Sequence, residues 1–343
     1  MALPARPWYR RPSRLIPIGL LVLGLMLALV STLSPWPAAL LIRGVFENSA
    51  HDTVTEMQPF VPRNALDAQL GLSYDHDKPD TRFDVFTPTG TVSPLATVVW
   101  IHGGAWISGS KENVDPYAEI IASHGYTTIT LDYTIAPDAT YPTALGQLNT
   151  ALGYLVAHAA ALHIDPSRMV VAGDSAGAQL TSQLATIVTN PAYAAEVGIT
   201  PALTTAQLRA VILDCGIYDL RDIPSAPGIG GWGFRIALWA YLGTKDWSPI
   251  PGAKQMTTLT NVTSAFPATW ISGGNADPLT PHQSKAFAAR LQSLGVDVTP
   301  VFYSDGHEPA LPHEYQFHLK LADARAALQS TLDFLARVTS RKA

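Results

Sequence analysis

The chain has 343 residues, 47 % of them apolar and only 14 % charged, which excludes a disordered polymer and supports one large core. A formal net charge of -5 argues against nucleic acid as a main partner. The single cysteine, Cys215, excludes a disulfide within the chain, and no CxxC or HExxH pair points to a metal. No cofactor is expected.

The N-terminus stands apart. Residues 1–14 carry Arg6, Arg10, Arg11 and Arg14. Residues 15–42 follow without a charge, and Leu15 to Val30 is almost wholly apolar. A helix of about 20 apolar residues spans a bilayer, and flanking arginines stay on the cytoplasmic side. The expectation is a transmembrane anchor with the remaining chain outside the cytoplasm. A cleaved signal segment, leaving a secreted protein, is the alternative. Residues 43–65 are polar and aperiodic and read as a linker.

From Leu66 to the C-terminus the pattern alternates strand and helix. Short β-branched or apolar runs predict strands at Ala68–Tyr74, Arg82–Thr87, Thr97–His102, Thr127–Asp132, Met169–Gly173, Ala210–Cys215, Ala268–Gly273 and Val298–Tyr303. Cys215 ends one of these runs, as a buried inert thiol would. Leu145, Leu148, Leu152 and Leu155 share a helical face, as do Phe287, Leu291 and Leu294. For the second of these helices, Thr280 suits the N-cap, Pro281 the first turn and Gly295 the stop. A last helix is expected around Leu321 to Leu335. This alternation implies a mostly parallel eight-stranded sheet with helices on both faces, in one domain over residues 66–343.

Residues 216–267 break the rhythm. They contain no obvious strand and are rich in glycine and in aromatics such as Trp232, Phe234, Trp239 and Tyr241. A connection this long is either a cap over an apolar pocket or an extra helix packed on the core.

The chemistry-bearing motif is Gly173-Asp174-Ser175-Ala176-Gly177, which follows the apolar run Val170-Val171-Ala172. Leu180, Leu184 and Ile187 continue at helical spacing. A strand entering Gly-x-Ser-x-Gly and leaving as a helix holds the serine on a tight turn at the positive helix end. Upstream, the strand Val98–Ile101 ends in His102-Gly103-Gly104-Ala105-Trp106. Backbone N–H groups of Gly103, Gly104 and Ala176 are the candidate donors for an oxyanion. His102 reads as a brace for that loop.

A serine hydroxyl needs a base, and the base needs an orienting acid. In this kind of fold the chain order is serine, acid, histidine. Asp277 follows one late strand and His307 the next, so both lie at the strand-end edge that Ser175 occupies. They are the candidate acid and base, with Asp219, Asp305 and His313 as rivals. Trp106, Trp232 and Phe234 are candidates for the substrate pocket.

The His102–Trp106 loop, the Asp132-Tyr133-Thr134-Ile135-Ala136-Pro137 segment and the Gly173–Gly177 elbow resemble those of hormone-sensitive-lipase-like α/β-hydrolase esterases. The Trp106 position resembles a branch containing feruloyl-esterase-like carboxylesterases and arylformamidases. The resemblance runs from about Leu66 to the final helix. It implies an α/β-hydrolase fold with a cap insertion, a triad of Ser175, Asp277 and His307, and an oxyanion hole at Gly103, Gly104 and Ala176. Ala105, Thr134 and Ala178 depart from the family's commoner residues. The implied partner is a small-molecule ester. An aryl formamide or other amide is an alternative substrate for the same groups, and a membrane-tethered binding protein without catalysis is the remote alternative.

Overall fold

The computed structural model describes residues 30–223 and 228–340, with residues 17, 18, 21, 24 and 26 before them. Eight strands form one sheet: β1 (Leu66–Ser73), β2 (Arg82–Pro88), β3 (Leu95–Ile101), β4 (Thr127–Leu131), β5 (Ile164–Asp174), β6 (Leu208–Asp214), β7 (Ala268–Gly273) and β8 (Val298–Phe302). Their order is β1-β2-β4-β3-β5-β6-β7-β8. β1 and β2 enter antiparallel, and every pair from β4 to β8 is parallel. All eight predicted strands form, with ends shifted by a few residues. The central strands β3, β5 and β6 are buried through most of their length, as their unbroken apolar runs require when helices cover both faces.

Helices α1 (Trp36–Met57), α2 (Asp115–Ala122), α3 (Thr143–Ala157), α4 (Ser175–Thr189), α5 (Pro191–Val197), α6 (Gly228–Leu242), α7 (Pro251–Met256), α8 (Ser284–Ser293) and α9 (Ala322–Thr339) surround the sheet. α3 buries the predicted leucine face in the larger of the two main core clusters. α9 buries Ala324, Ala327, Leu332 and Leu335 in the other cluster, on the opposite face.

Three expectations need correction here, the second only at its C-terminal end. Of the expected linker at 43–65, residues 43–57 belong instead to α1, which buries Met57 in the core. The polar residues misled because they form the outer face of a packed helix. Of the anchor assigned to residues 15–42, residues 15, 16, 19, 20, 22, 23, 25 and 27–29 lie outside the described residues. Its last part, Ala38, Ala39 and Ile42, is buried against the domain, and no helix among the described residues is long and apolar enough to cross a membrane. Third, α8 starts at Ser284 and has no side-chain cap. Thr280 packs against Gly273 instead. Gly295 does close the helix, with φ +77°.

In the 216–267 insertion, the second half of α6 packs on the core, with Ala237, Leu238, Ala240 and Tyr241 buried. The extra-helix reading therefore describes this half. Trp232, nearer the start of α6, remains 39 % exposed.

Candidate active site

Ser175 stands where β5 gives way to α4, with φ +49° in the left-handed region that costs a non-glycine residue energy. The strain is held in place by crowding. A side chain on Gly177 would strike the carbonyls of Ile101 and His102, and one on Gly173 would strike Gly177. Only glycines let α4 turn this close to β3. The serine is 7 % exposed.

The histidine beside it is not the one predicted as base. His313 Nε2 lies 3.0 Å from Ser175 Oγ, and its Nδ1 lies 2.8 Å from Asp277 Oδ2. With Nδ1–H donating to the carboxylate, Nε2 is left to accept the serine proton. His307 is elsewhere: its ring packs against Tyr303 at 4.5 Å, and its Nε2 lies 3.2 Å from Asp323 Oδ2 without hydrogen-bond alignment. The reason is the path of the loop after β8. Asn275 Nδ2 donates to the His307 carbonyl, and Asn275 Oδ1 accepts from the Leu311 N–H, both at 2.9 Å. Ala276 N–H also donates to the Leu311 carbonyl. These bonds fold the loop back over the acid loop, so the histidine two residues beyond Leu311 meets Asp277. Asn275 is thus a positioning residue that sequence reasoning missed. The two histidines in one loop were the available signal.

Asp277 is buried, and its Oδ1 also accepts the Leu279 N–H at 2.9 Å. The rival acids serve elsewhere. Asp219 accepts both guanidinium and backbone N–H bonds from Arg221, and Asp305 is an exposed partner of Lys285. Burial disfavours a charged His313, but the Asp277 hydrogen bond and the charges of Glu314, Asp277 and Asp174 outweigh it. They hold the imidazole up at about 9. The ring is 35 % exposed, so water softens these effects without changing their sign.

The glycine loop also departs from expectation in one donor. Gly103 N–H is already spent on Asp174 Oδ2 at 2.7 Å. That carboxylate also accepts Trp100 Nε1 at 2.8 Å, and burial pushes its pKa well above the usual range. The chain then turns through three left-handed residues, Gly104 (φ +103°), Ala105 (φ +51°) and Trp106 (φ +61°). Among the described residues no acceptor takes the N–H of Gly104, Ala105 or Ala176. Ala105 therefore stands where Gly103 was expected.

Packing fixes this loop from three sides. His102 is fully buried, stacks on Tyr133 at 4.4 Å, and donates from Nδ1 to the Gly103 carbonyl at 2.8 Å. Burial pulls its pKa down to about 4, so it is a neutral brace. Trp106 is fully buried, stacks on Tyr241 of α6 at 5.4 Å and donates to Gln179 Oε1 at 3.2 Å. It braces the loop and lines no open pocket, which corrects its assignment. Phe234 is partly buried against the core. From α1, Arg43 donates to the carbonyls of Ile107 (2.7 Å) and Ala136 (2.9 Å) and pairs with Asp138.

Cys215, Asp277 and His313 have ligand atoms within 4.8 Å of one another, the one cluster of the described residues that could hold a metal ion. Burial pushes the Cys215 thiol far up, away from the thiolate a metal prefers. A cavity of about 320 Å³ behind the glycine loop is lined by Glu47, His51, Gly109 and Glu112 and includes neither Ser175, Asp277 nor His313.

A strained serine at a strand–helix elbow, on a sheet of this order, marks an α/β-hydrolase fold, and the matches to known esterases make the chain a carboxylic ester hydrolase of the hormone-sensitive-lipase-like kind. The chain belongs to the BD-FAE family, whose model matches residues 83–291. It is 27 % identical over 259 residues to an esterase of Gibberella moniliformis, covering 74 % of this chain and 78 % of that one. It is 29 % identical over 243 residues to the carboxylesterase NlhH of Mycobacterium tuberculosis, covering 67 % and 70 %. Among solved structures, esterase B from Lactobacillus rhamnosis superposes with a TM-score of 0.73 at 20 % identity, covering 88 % of this chain and 96 % of that one. A bacterial heroin esterase gives 0.69 at 22 %, covering 92 % and 97 %. At these identities the structural likeness speaks for the fold.

Proposed function

We propose that the protein hydrolyses carboxylic esters through an acyl-enzyme on Ser175, with His313 as base and Asp277 as its orienting acid. The observation that carries this reading is the single imidazole bridging Ser175 Oγ and Asp277 Oδ2 at 3.0 and 2.8 Å. Ser175 Oγ attacks the ester carbonyl while His313 Nε2 takes its proton. The oxygen that gains charge is received by the N–H groups of Gly104, Ala105 and Ala176 at the positive end of α4. His313 then gives the proton to the departing alcohol. Water, activated by the same nitrogen, releases the acid and restores the serine. Asp277 keeps the proton on Nδ1 and stabilises the imidazolium in between.

A panel of p-nitrophenyl esters of graded acyl length, run against Ser175→Ala, tests the reading. Turnover that survives the substitution would overturn it. An aryl formamide cleaved far faster than every ester would move the reading to amide hydrolysis by the same groups.

The N-terminal segment extends the proposal to location. The uncharged residues 15–34, preceded by four arginines, support a membrane anchor that places the domain outside the cytoplasm. Release of the full chain from membranes by high salt without detergent would refute it.

A further inference from the structure

Glu314 takes no part in the proton transfers above beyond its charge on His313, yet its carboxylate stands beside the reacting atoms. Glu314 Oε1 lies 3.7 Å from His313 Nε2, and 3.0 Å from where a side chain on Gly103 would begin. It therefore occupies the edge between the base and the glycine loop. The backbone is fixed there: Glu314 has φ +56°, its N–H donates to Cys215 Sγ at 3.3 Å, and its carbonyl accepts from Phe317 at 3.1 Å. This left-handed position favours glycine, but carries a glutamate. Its side chain is 33 % exposed, and among the described residues its ion-pair partner is His313 alone, with no lysine or arginine beside it.

A carboxylate so placed has a cost. Negative charge next to Gly103 opposes the negative charge that forms on the attacked carbonyl a few ångströms away. Asp174, behind the loop, adds to the same negative field whenever it is ionised. A positive charge on the substrate offsets that cost. His313 Nε2 must meet the leaving oxygen to protonate it, so the group that Glu314 meets belongs to the alcohol half of the ester.

We propose that Glu314 forms a cation subsite on the leaving-group side, selecting esters whose alcohol carries an amine or quaternary ammonium group within a few carbons of the ester oxygen. This rests on the hydrolase reading above. Opposite unit charges about 5 Å apart at a partly solvated surface are worth about tenfold in affinity, and salt weakens them.

The test measures inhibition of p-nitrophenyl acetate hydrolysis by choline and by dimethylbutanol, its uncharged carbon isostere, above pH 9, where His313 is neutral and no longer pairs with Glu314. Absence of any Ser175-dependent hydrolysis would sink the hydrolase reading itself. Given hydrolysis, choline should inhibit about tenfold more strongly than the isostere, and added salt should shrink the gap. Equal inhibition by the two, or none by either, overturns the subsite. In Glu314→Gln the ratio should fall to about one, and in Glu314→Asp it should be partly kept. An unchanged ratio in Glu314→Gln also overturns it. The wild-type ratio stands as a test even if a variant folds poorly.

Discussion

At the scale of residues, the decisive contact is between His313 and the Ser175–Asp277 pair. His313→Ala should lower kcat by about 10⁴-fold or more, the scale of losing a triad member, while His307→Ala should cost only a few-fold. Steady-state rates of the two variants decide between the histidines. The pH profile follows from the same contact. In the proposed role His313 must be neutral to act as base, and its neighbours hold it protonated up to about 9. kcat/KM should therefore rise with pH into the alkaline range, and Glu314→Gln should move that limb toward lower pH by removing one of the facing charges. Stability carries the opposite slope. A group whose folded pKa lies above its unfolded value of 6.5 stabilises fully below 6.5 and loses that contribution as pH climbs to about 9. Urea midpoints measured across this window should fall in the wild type and fall less in His313→Asn.

At the scale of elements, the glycine loop depends on neighbours distant in sequence. α1 reaches it through Arg43, whose guanidinium satisfies two carbonyls. Arg43→Ala leaves both without that donor and should cost about 1–3 kcal/mol in urea unfolding. It should also lower kcat more than it raises KM, because the loop's N–H groups act on the transition state. α6 reaches the loop through the Trp106–Tyr241 stack. Trp106→Ala would open a cavity in a fully buried site and should cost about 3–5 kcal/mol. A full loss of activity with no change in stability would contradict the bracing role of this tryptophan.

At the scale of the whole molecule, the domain begins earlier than its strand pattern indicates. A chain starting at residue 35 should keep the fold and its activity. One starting at residue 58 loses α1, uncovers the core residues that Ala38, Ala39 and Ile42 cover, and removes Arg43. It should unfold at markedly lower urea concentration and hydrolyse esters poorly. Measuring both truncations separates the catalytic body from the apolar segment that precedes it.

The sequence alone determined what local chemistry can determine. The eight strands were legible because buried parallel strands read as short apolar runs between turn residues. The elbow that carries Ser175, the proposed nucleophile, was legible because its turn demands glycines at set spacings. Asp277 was found because it directly follows a strand. What failed were contacts set by loops and by helix faces. Position in the chain favours His307, and only the Asn275 clasp brings His313 to Asp277. A glycine pair suggests two oxyanion donors, and only the packing of Asp174 shows that Gly103 is already occupied. α1 escaped notice because its apolar start reads as part of the preceding apolar segment, and its mostly polar remainder from Arg43 carries only a narrow buried face. Strand pattern is written residue by residue. The pairing of groups a hundred positions apart is written only in the folded chain, where a loop's path depends on hydrogen bonds that neither end of it contains.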